Sequence, residues 1–206
     1  MTKRKRERGG EVDGGDEDLP QRKKRNSYFL ASITSQRSRY VKDFKNTKMD
    51  LAERLFAFYN KTIFGNKLPK IKITWNKRLT STGGQCFYCI SDDERYSRIE
   101  LSDKVCDSAD RVRDILAHEM CHAATWIIDG SKTDGHGDLW QAHADRVTQI
   151  HPELPKVTIC HDYAINYTFT YRCDACNKTV GRFREIPPDK AICRMCQSRL
   201  CLVSPR

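Results

Sequence analysis

Between Ile115 and His122 the chain reads ILAHEMCH, and fourteen residues further on His136 stands in DGHGD. No other stretch limits the fold as much. On a helix, His118 and His122 lie one turn apart on the same face, and Glu119 stands about 100° round from His118, beside any ion the two imidazoles share. A zinc hydrolase centre needs that layout: two histidines, a third protein ligand, an open position for water, and a carboxylate to handle its proton. The helix is predicted independently of the motif. Asp107 or Ser108 can cap it, and Val112, Ile115, Leu116, Met120, Ala123 and Ile127 recur at helical spacing until Gly130 ends it.

The third ligand is chosen by elimination and by ligand chemistry. A metzincin would carry Gly at 125 and His at 128, where this chain has Thr125 and Ile128. The next glutamate after Glu119 is Glu153, next to Pro152 and a poor site for a helical ligand. His136 is the best choice, with Asp134 and His143 behind it. Gly135 and Gly137 permit a tight approach, and Asp138 with Gln141 forms a capping pattern for a helix over Leu139 to Ile150.

A second metal signature lies near the C-terminus. Cys173 and Cys176 form one CxxC pair and, after a gap of sixteen residues, Cys193 and Cys196 form another, the spacing of a four-cysteine zinc ribbon with two knuckles. So short a segment has little core of its own, and the metal is expected to supply much of its stability. Cysteines grouped in this way indicate metal binding in a reducing compartment rather than a disulfide framework. Cys86 and Cys89 point to opposite faces of a predicted strand and read as core or surface thiols; Cys106, Cys121, Cys160 and Cys201 read as small buried side chains.

Charge separates the middle of the chain from its flanks. Residues 1–45 hold 13 Lys/Arg against 7 Asp/Glu, residues 46–159 hold 16 against 16, and residues 160–206 hold 8 against 4, so the whole excess of +10 lies at the two ends. Such ends suit a polyanion such as DNA while a neutral middle does chemistry. Residues 1–45 are poor in apolar side chains and are expected to be a disordered basic tail. Its clusters Lys3 to Arg6 and Arg22 to Arg25, with an acidic spacer between them, match a bipartite signal for a nuclear import receptor, hence a nuclear, chromatin-associated protein. The sequence has no run of eighteen apolar residues, so no membrane partner is expected.

The remaining pattern predicts an α+β fold. A helix from about Thr47 or Asp50 to Gly65 carries Leu51, Leu55, Phe58, Tyr59 and Ile63 on one face and should pack on the zinc helix. Strands are expected at Ile71 to Trp75, Gln85 to Ile90 and Arg98 to Leu101, forming a small mixed sheet with one edge open to an extended peptide. From Tyr163 to Tyr171 alternate positions are apolar, with Ile165, Tyr167 and Phe169 between them, which reads as a strand with an aromatic face, either packed in a core or stacking unpaired bases. The expected division is therefore a tail over 1–45, a zincin-like zinc hydrolase domain over 46–160 and a β zinc ribbon over 161–206.

With LFAFYNKTIFG, the strand ending in Trp75, TGGQC, ILAHEMCHAATWIIDG, HGDLW, IHPELP and the ribbon in this order, the chain resembles the SprT-like metalloprotease family over about residues 46–203. The resemblance implies a DNA-dependent zinc endopeptidase that degrades proteins crosslinked to DNA, in repair of such damage. It implies His118, His122 and His136 as zinc ligands and Glu119 as the catalytic residue. One catalytic Zn2+ and one structural Zn2+ on the four ribbon cysteines follow, with single-stranded or junction DNA and DNA-bound proteins as partners. The alternative from another class is a non-catalytic, zinc-containing DNA-binding or scaffold module in the nucleus.

Overall fold

The computed structural model describes residues 19–160 and 163–205, which form a mixed α+β structure. Two helices, α1 (Leu19–Thr34) and α2 (Arg39–Lys42), lead into the long α3 (Phe44–Thr62). A three-stranded sheet follows, made of β1 (Lys72–Asn76), β2 (Gly84–Ser91) and β3 (Glu94–Ser102), and then α4 (Ala109–Ile127) and α5 (Asp138–Ile150). The C-terminal part carries β4 (Phe169–Cys173), β5 (Thr179–Arg182) and β6 (Leu200–Pro205).

The first sheet has the order β1-β3-β2, with β1 parallel to β3 and β2 antiparallel to it. The sheet is therefore mixed, as expected, and β2 is one of its edges. The turn between β2 and β3 is two residues long, and both Asp92 (φ 50°) and Asp93 (φ 63°) take the left-handed conformation that a tight hairpin needs. This turn extends β3 back to Glu94, well before the predicted start at Arg98, because the distal half of the hairpin is exposed and charged and lacks an apolar alternation.

Helix α4 is the centre of the larger core. Val112, Ile115, Leu116, Met120, Cys121, Ala123 and Ala124 are all fully buried, so the helix is enclosed nearly all round by α3, α5 and the β2–β3 face. Tyr59 on α3 is also fully buried, and its hydroxyl donates to the Arg113 carbonyl on α4 at 3.1 Å, fixing the packing of α3 on α4. Ser108 is the N-cap without a side-chain bond, while Asp107 pairs with Arg111.

The expectation of a disordered tail as far as Lys45 fails over the described part. Leu30 and Ile33 on α1 and Tyr40 on α2 are buried, and the Phe29 ring packs 4.7 Å from Phe58. Tyr40 donates to Asp50 at 2.6 Å and accepts from Arg54 at 2.9 Å. A few apolar anchors at helical spacing, docked on α3, offset the ordering cost of a segment whose average composition is polar. The cluster Lys3 to Arg6 lies outside the described residues.

A second, small cluster is built from Tyr171, Cys173, Ala191, Cys193 and Leu200 around the sheet β5-β4-β6. The strand predicted from Tyr163 begins only at Phe169. Before it the chain is drawn against α4: Tyr163 donates to Asp114 at 2.9 Å, and Arg111 donates to the Ala164 carbonyl at 2.8 Å. The alternating side chains are thereby split, Tyr163 and Ile165 packing on the larger core and Tyr171 in the small one.

Candidate metal centre

His118 and His122 face the same side of α4, and the loop to α5 brings His136 to them. The three Nε2 atoms form a nearly equilateral triangle, with 3.2 Å between His118 and His122, 3.1 Å between His122 and His136, and 3.2 Å between His136 and His118. A tetrahedral zinc with Zn–N of about 2.0–2.1 Å requires about 3.3 Å between ligand nitrogens, so the donor set fits the ion. Burial, reinforced by His136, lowers the His122 pKa to about 4, and burial lowers that of His136 as well. Both rings are thus neutral and able to ligate at neutral pH.

The outward nitrogens are held too. With Nε2 turned to the other two histidines, His118 Nδ1–H donates to the Thr158 carbonyl at 3.0 Å, and His122 Nδ1 lies 3.4 Å from the Tyr88 hydroxyl. Such partners fix ring orientation and raise ligand basicity. The indole of Trp140, fully buried on α5, packs against all three imidazoles at 4.9, 5.6 and 4.6 Å from His118, His122 and His136. Trp140 belongs to the HGDLW stretch, but the sequence assigns it no role; in the first turn of α5, its large ring floors the whole triad.

Glu119 is 4% exposed and lines the same cleft, about 460 Å³ in volume, as the three histidines, Tyr88 and Cys86. Burial pushes its carboxyl up to about 8, against a hydrogen bond from the Cys86 backbone amide that favours the ionised form. Gly84 of β2 makes the space for this side chain: a Cβ there would stand 2.8 Å from Glu119 Cγ and Oε1. Gly84 lies in TGGQC, another stretch whose physical purpose the sequence alone does not disclose.

The two runners-up for third ligand are engaged elsewhere. Asp134 Oδ2 accepts from the Trp140 backbone N–H at 2.9 Å, which ties down the start of α5 and with it the turn carrying His136. The capping expected of Asp138 with Gln141 is corrected accordingly: Gly137 is the N-cap, and Asp138 is already in the first turn. His143 Nε2 meets Asp129 Oδ2 at 2.6 Å and its ring lies 5.9 Å from Phe64, away from the triad.

The four ribbon cysteines also converge, with Cys173 Sγ 3.4 Å from Cys196 Sγ, Cys176 Sγ 3.7 Å from Cys193 Sγ, and all four within 4.8 Å of one another. Tetrahedral zinc with Zn–S of about 2.3 Å needs roughly 3.8 Å between sulfurs, so this group can hold the ion as well. Each knuckle closes on a left-handed residue, Asn177 (φ 57°) or Gln197 (φ 60°), whose N–H returns to the carbonyl of the first cysteine. The Ser198 backbone amide, with Cys173 and the Ser198 hydroxyl, lowers the Cys196 pKa to about 6, and the amides of Cys196 and Met195 lower that of Cys193. A thiolate at Cys196 suits metal binding, whereas the neighbouring sulfurs push the Cys176 thiol up to about 11 against the Lys178 amide. Of the remaining cysteines, Cys106 and Cys121 are buried as expected, whereas Cys160 is exposed and Cys201 is half-buried beside Asp174.

A basic groove adjoins the cleft. Lys77, Arg78 and Lys104 from the first sheet's surroundings and Arg182, Arg184 and Arg194 from the ribbon line a hollow of about 720 Å³ with Tyr167 and Phe183. No acidic side chain lines it among the described residues. The Tyr167 ring lies against Gly181, where a Cβ would come within 1.9 Å of it, and 5.0 Å from the Phe183 ring. Ser81 borders both this groove and the metal cleft.

Residues 52–161 match the model of the SprT-like family. Germ cell nuclear acidic protein of Homo sapiens is 40% identical over 184 residues, covering 85% of this chain and 26% of that protein. Protein SprT-like of Streptococcus thermophilus is 30% identical over 152 residues, 71% of this chain and 95% of that protein. DNA-dependent metalloprotease SPRTN of Danio rerio is 29% identical over 113 residues, 53% of this chain and 17% of that protein. The chain thus spans about a quarter of the human relative's length.

Proposed function

The chain belongs to the SprT-like family, which is related to metalloproteases, and from that premise we propose that it is a DNA-dependent zinc endopeptidase acting on proteins crosslinked to DNA. The observation that carries this reading is the convergence of three imidazole Nε2 atoms in one cleft with the buried Glu119. The name of the Danio rerio relative joins DNA to metalloprotease activity, and that of the human relative contains the word nuclear.

His118, His122 and His136 would hold the catalytic zinc, which when bound supplies Lewis acidity towards a carbonyl and lowers the pKa of water. Glu119 takes the proton from the attacking water and hands it to the leaving amine. Its raised pKa suits a group that must both accept and release a proton near neutrality. The substrate lies extended along the free edge of β2, whose residues Gly84, Gln85, Cys86 and Tyr88 line the cleft, and pairs with it through main-chain hydrogen bonds. Residues 46–160, with α1 and α2 docked on them, are the zincin-like catalytic unit; residues 161–206 are the ribbon, with a structural zinc on Cys173, Cys176, Cys193 and Cys196.

DNA is the partner that restricts this activity. The basic groove offers cations for phosphates and two aromatic rings for unpaired bases, which favours single-stranded or junction DNA. Because the groove adjoins the metal cleft at Ser81, a protein held on the same DNA is presented at high effective concentration. Import through the two basic clusters would place the protein on chromatin in the nucleus.

The test is cleavage of a basic DNA-binding protein by the full chain, with and without single-stranded DNA, beside Glu119→Gln. Cleavage that needs both DNA and Glu119 is expected. DNA binding without cleavage, in a preparation with both metal groups loaded, would favour a non-catalytic DNA-binding module instead.

A further inference from the structure

A chain bound in the metal cleft meets two walls, and the β2 wall is partly taken up before any substrate arrives. The Ser102 N–H bonds to the Gly83 carbonyl at 2.8 Å, and pairing alternates from there, so the main-chain groups of Gly84, Cys86, Tyr88 and Ile90 face the free edge. Two of those nearest Glu119 are engaged. The Cys86 N–H donates to the Glu119 carboxyl, and the Gly84 carbonyl accepts from the Thr82 hydroxyl at 2.9 Å. Main-chain pairing is thus thinnest beside Glu119, and the hold on a substrate there falls to side-chain contact.

The second wall is the segment that follows α5. The Thr158 carbonyl accepts from His118 Nδ1–H at 3.0 Å, and the Thr158 hydroxyl donates to the Cys160 carbonyl at 2.6 Å. Ile159 therefore sits on backbone that is tied to a member of the triad and closed on itself. It lines the cleft with Glu119 and the three histidines, yet it is 54% exposed. A lone exposed isoleucine on an open surface is ordinary. Here it is the one large aliphatic side chain among the described residues that line the cleft. Its branched Cβ restricts its rotamers, so the cleft carries a stiff apolar face. A charged side chain laid on that face would exchange water for hydrocarbon, whereas an apolar one gains by burial. We propose that Ile159 is a specificity-determining residue, packing against the substrate side chain beside the scissile bond and selecting an apolar one there. The assignment rests on the peptidase reading above and adds the class of residue next to which that peptidase cuts.

The test digests DNA-bound proteins with the full zinc-loaded chain on single-stranded DNA and maps every cut by mass spectrometry, scoring each residue type against its abundance in the substrates. In wild type one position flanking the cut should favour Leu, Ile, Val, Met or Phe over Asp and Glu by about tenfold or more. Ile159→Ser should bring that ratio close to one and leave the other positions as they were. Ile159→Val should keep it, and Ile159→Lys should turn it towards Asp and Glu, a gain that misfolding cannot produce. Metal analysis should find both metal groups filled in every variant. Profiles of Ile159→Ser and Ile159→Lys that match wild type would overturn the assignment, as would loss of zinc in both, which would make Ile159 a support for His118. A wild type that cuts without preference at either flanking position would remove the assignment alone. A wild type that binds DNA and cuts nothing would remove the peptidase reading and the assignment with it.

Discussion

The indole of Trp140 stands edge-on to the imidazole of His136, with ring centroids 4.6 Å apart and planes at 83°. Because the same indole also backs His118 and His122, the triad is held from behind by one side chain as well as by its own backbone. Trp140→Leu leaves the site apolar but removes this floor. Metal affinity at the three histidines should fall about 10–100-fold, the usual effect of removing a group that orients ligands, while the ribbon metal stays. Chelator competition with metal counting measures both.

The buried indole N–H of Trp140 has no hydrogen-bond partner among the described residues. Trp140→Phe deletes that unmatched donor along with ring volume, so part of the cavity cost is offset. Trp140→Ala should cost about 3–5 kcal/mol and Trp140→Phe clearly less, read from denaturant unfolding of the two variants. Equal losses would mean that the ring kept by Phe recovers none of the packing.

Gly84→Ala tests the space made for Glu119. The added Cβ, 2.8 Å from Glu119 Cγ and Oε1, must push the carboxylate from its place, whereas the histidines are not touched. Zinc should remain bound and cleavage should fall by about 100-fold, the scale of a displacement of an ångström at a reacting group. Full activity would show that the carboxylate can move aside without harm.

Most of this site was legible because its chemistry sits in short local patterns. HExxH on a helix and paired CxxC spacings depend on neighbours a turn or a knuckle apart, and such geometry is set by the backbone alone. His136 was reachable by chemistry, since Asp134 and His143 were the only rivals close by. Tyr88, Gly84 and Trp140 were not, because each acts across the fold: β2 brings Tyr88 and Gly84 to α4, and α5 brings Trp140 under the triad. The tail was misjudged for a related reason. Averaged over 45 residues its composition is that of a disordered chain, yet Leu30, Ile33 and Tyr40 are anchors whose partners lie beyond it on the rest of the fold.

His151 gives a pH dependence of stability. It is 1% exposed, its Nε2 lies 2.8 Å from the Thr62 hydroxyl, and burial lowers its pKa below the ordinary 6.5 despite Glu153. The unfolded chain therefore binds a proton there more readily than the folded one. The contribution is fully present above pH 6.5 and is lost as pH falls from there through the lowered folded value. In His151→Phe the fall of Tm between neutral and mildly acid pH should be shallower than in wild type; an identical slope would remove His151 from the account.

The last prediction separates the two sides of the basic groove. Lys77 and Arg78 follow β1 of the first sheet, whereas Arg182, Arg184 and Arg194 belong to the C-terminal part with β4, β5 and β6. If a strand lies in the groove, Lys77→Gln with Arg78→Gln removes two phosphate contacts without disturbing the ribbon metal. Each contact contributes about 0.7 to the slope of log K against log salt for single strands, so the slope should become shallower by about 1.4. DNA-stimulated cleavage should fall with it, and cleavage without DNA should not change. A ribbon that bound DNA on another face would leave slope and stimulation intact in this double variant, and the groove's contact with the metal cleft at Ser81 would then have no part in coupling DNA to cleavage.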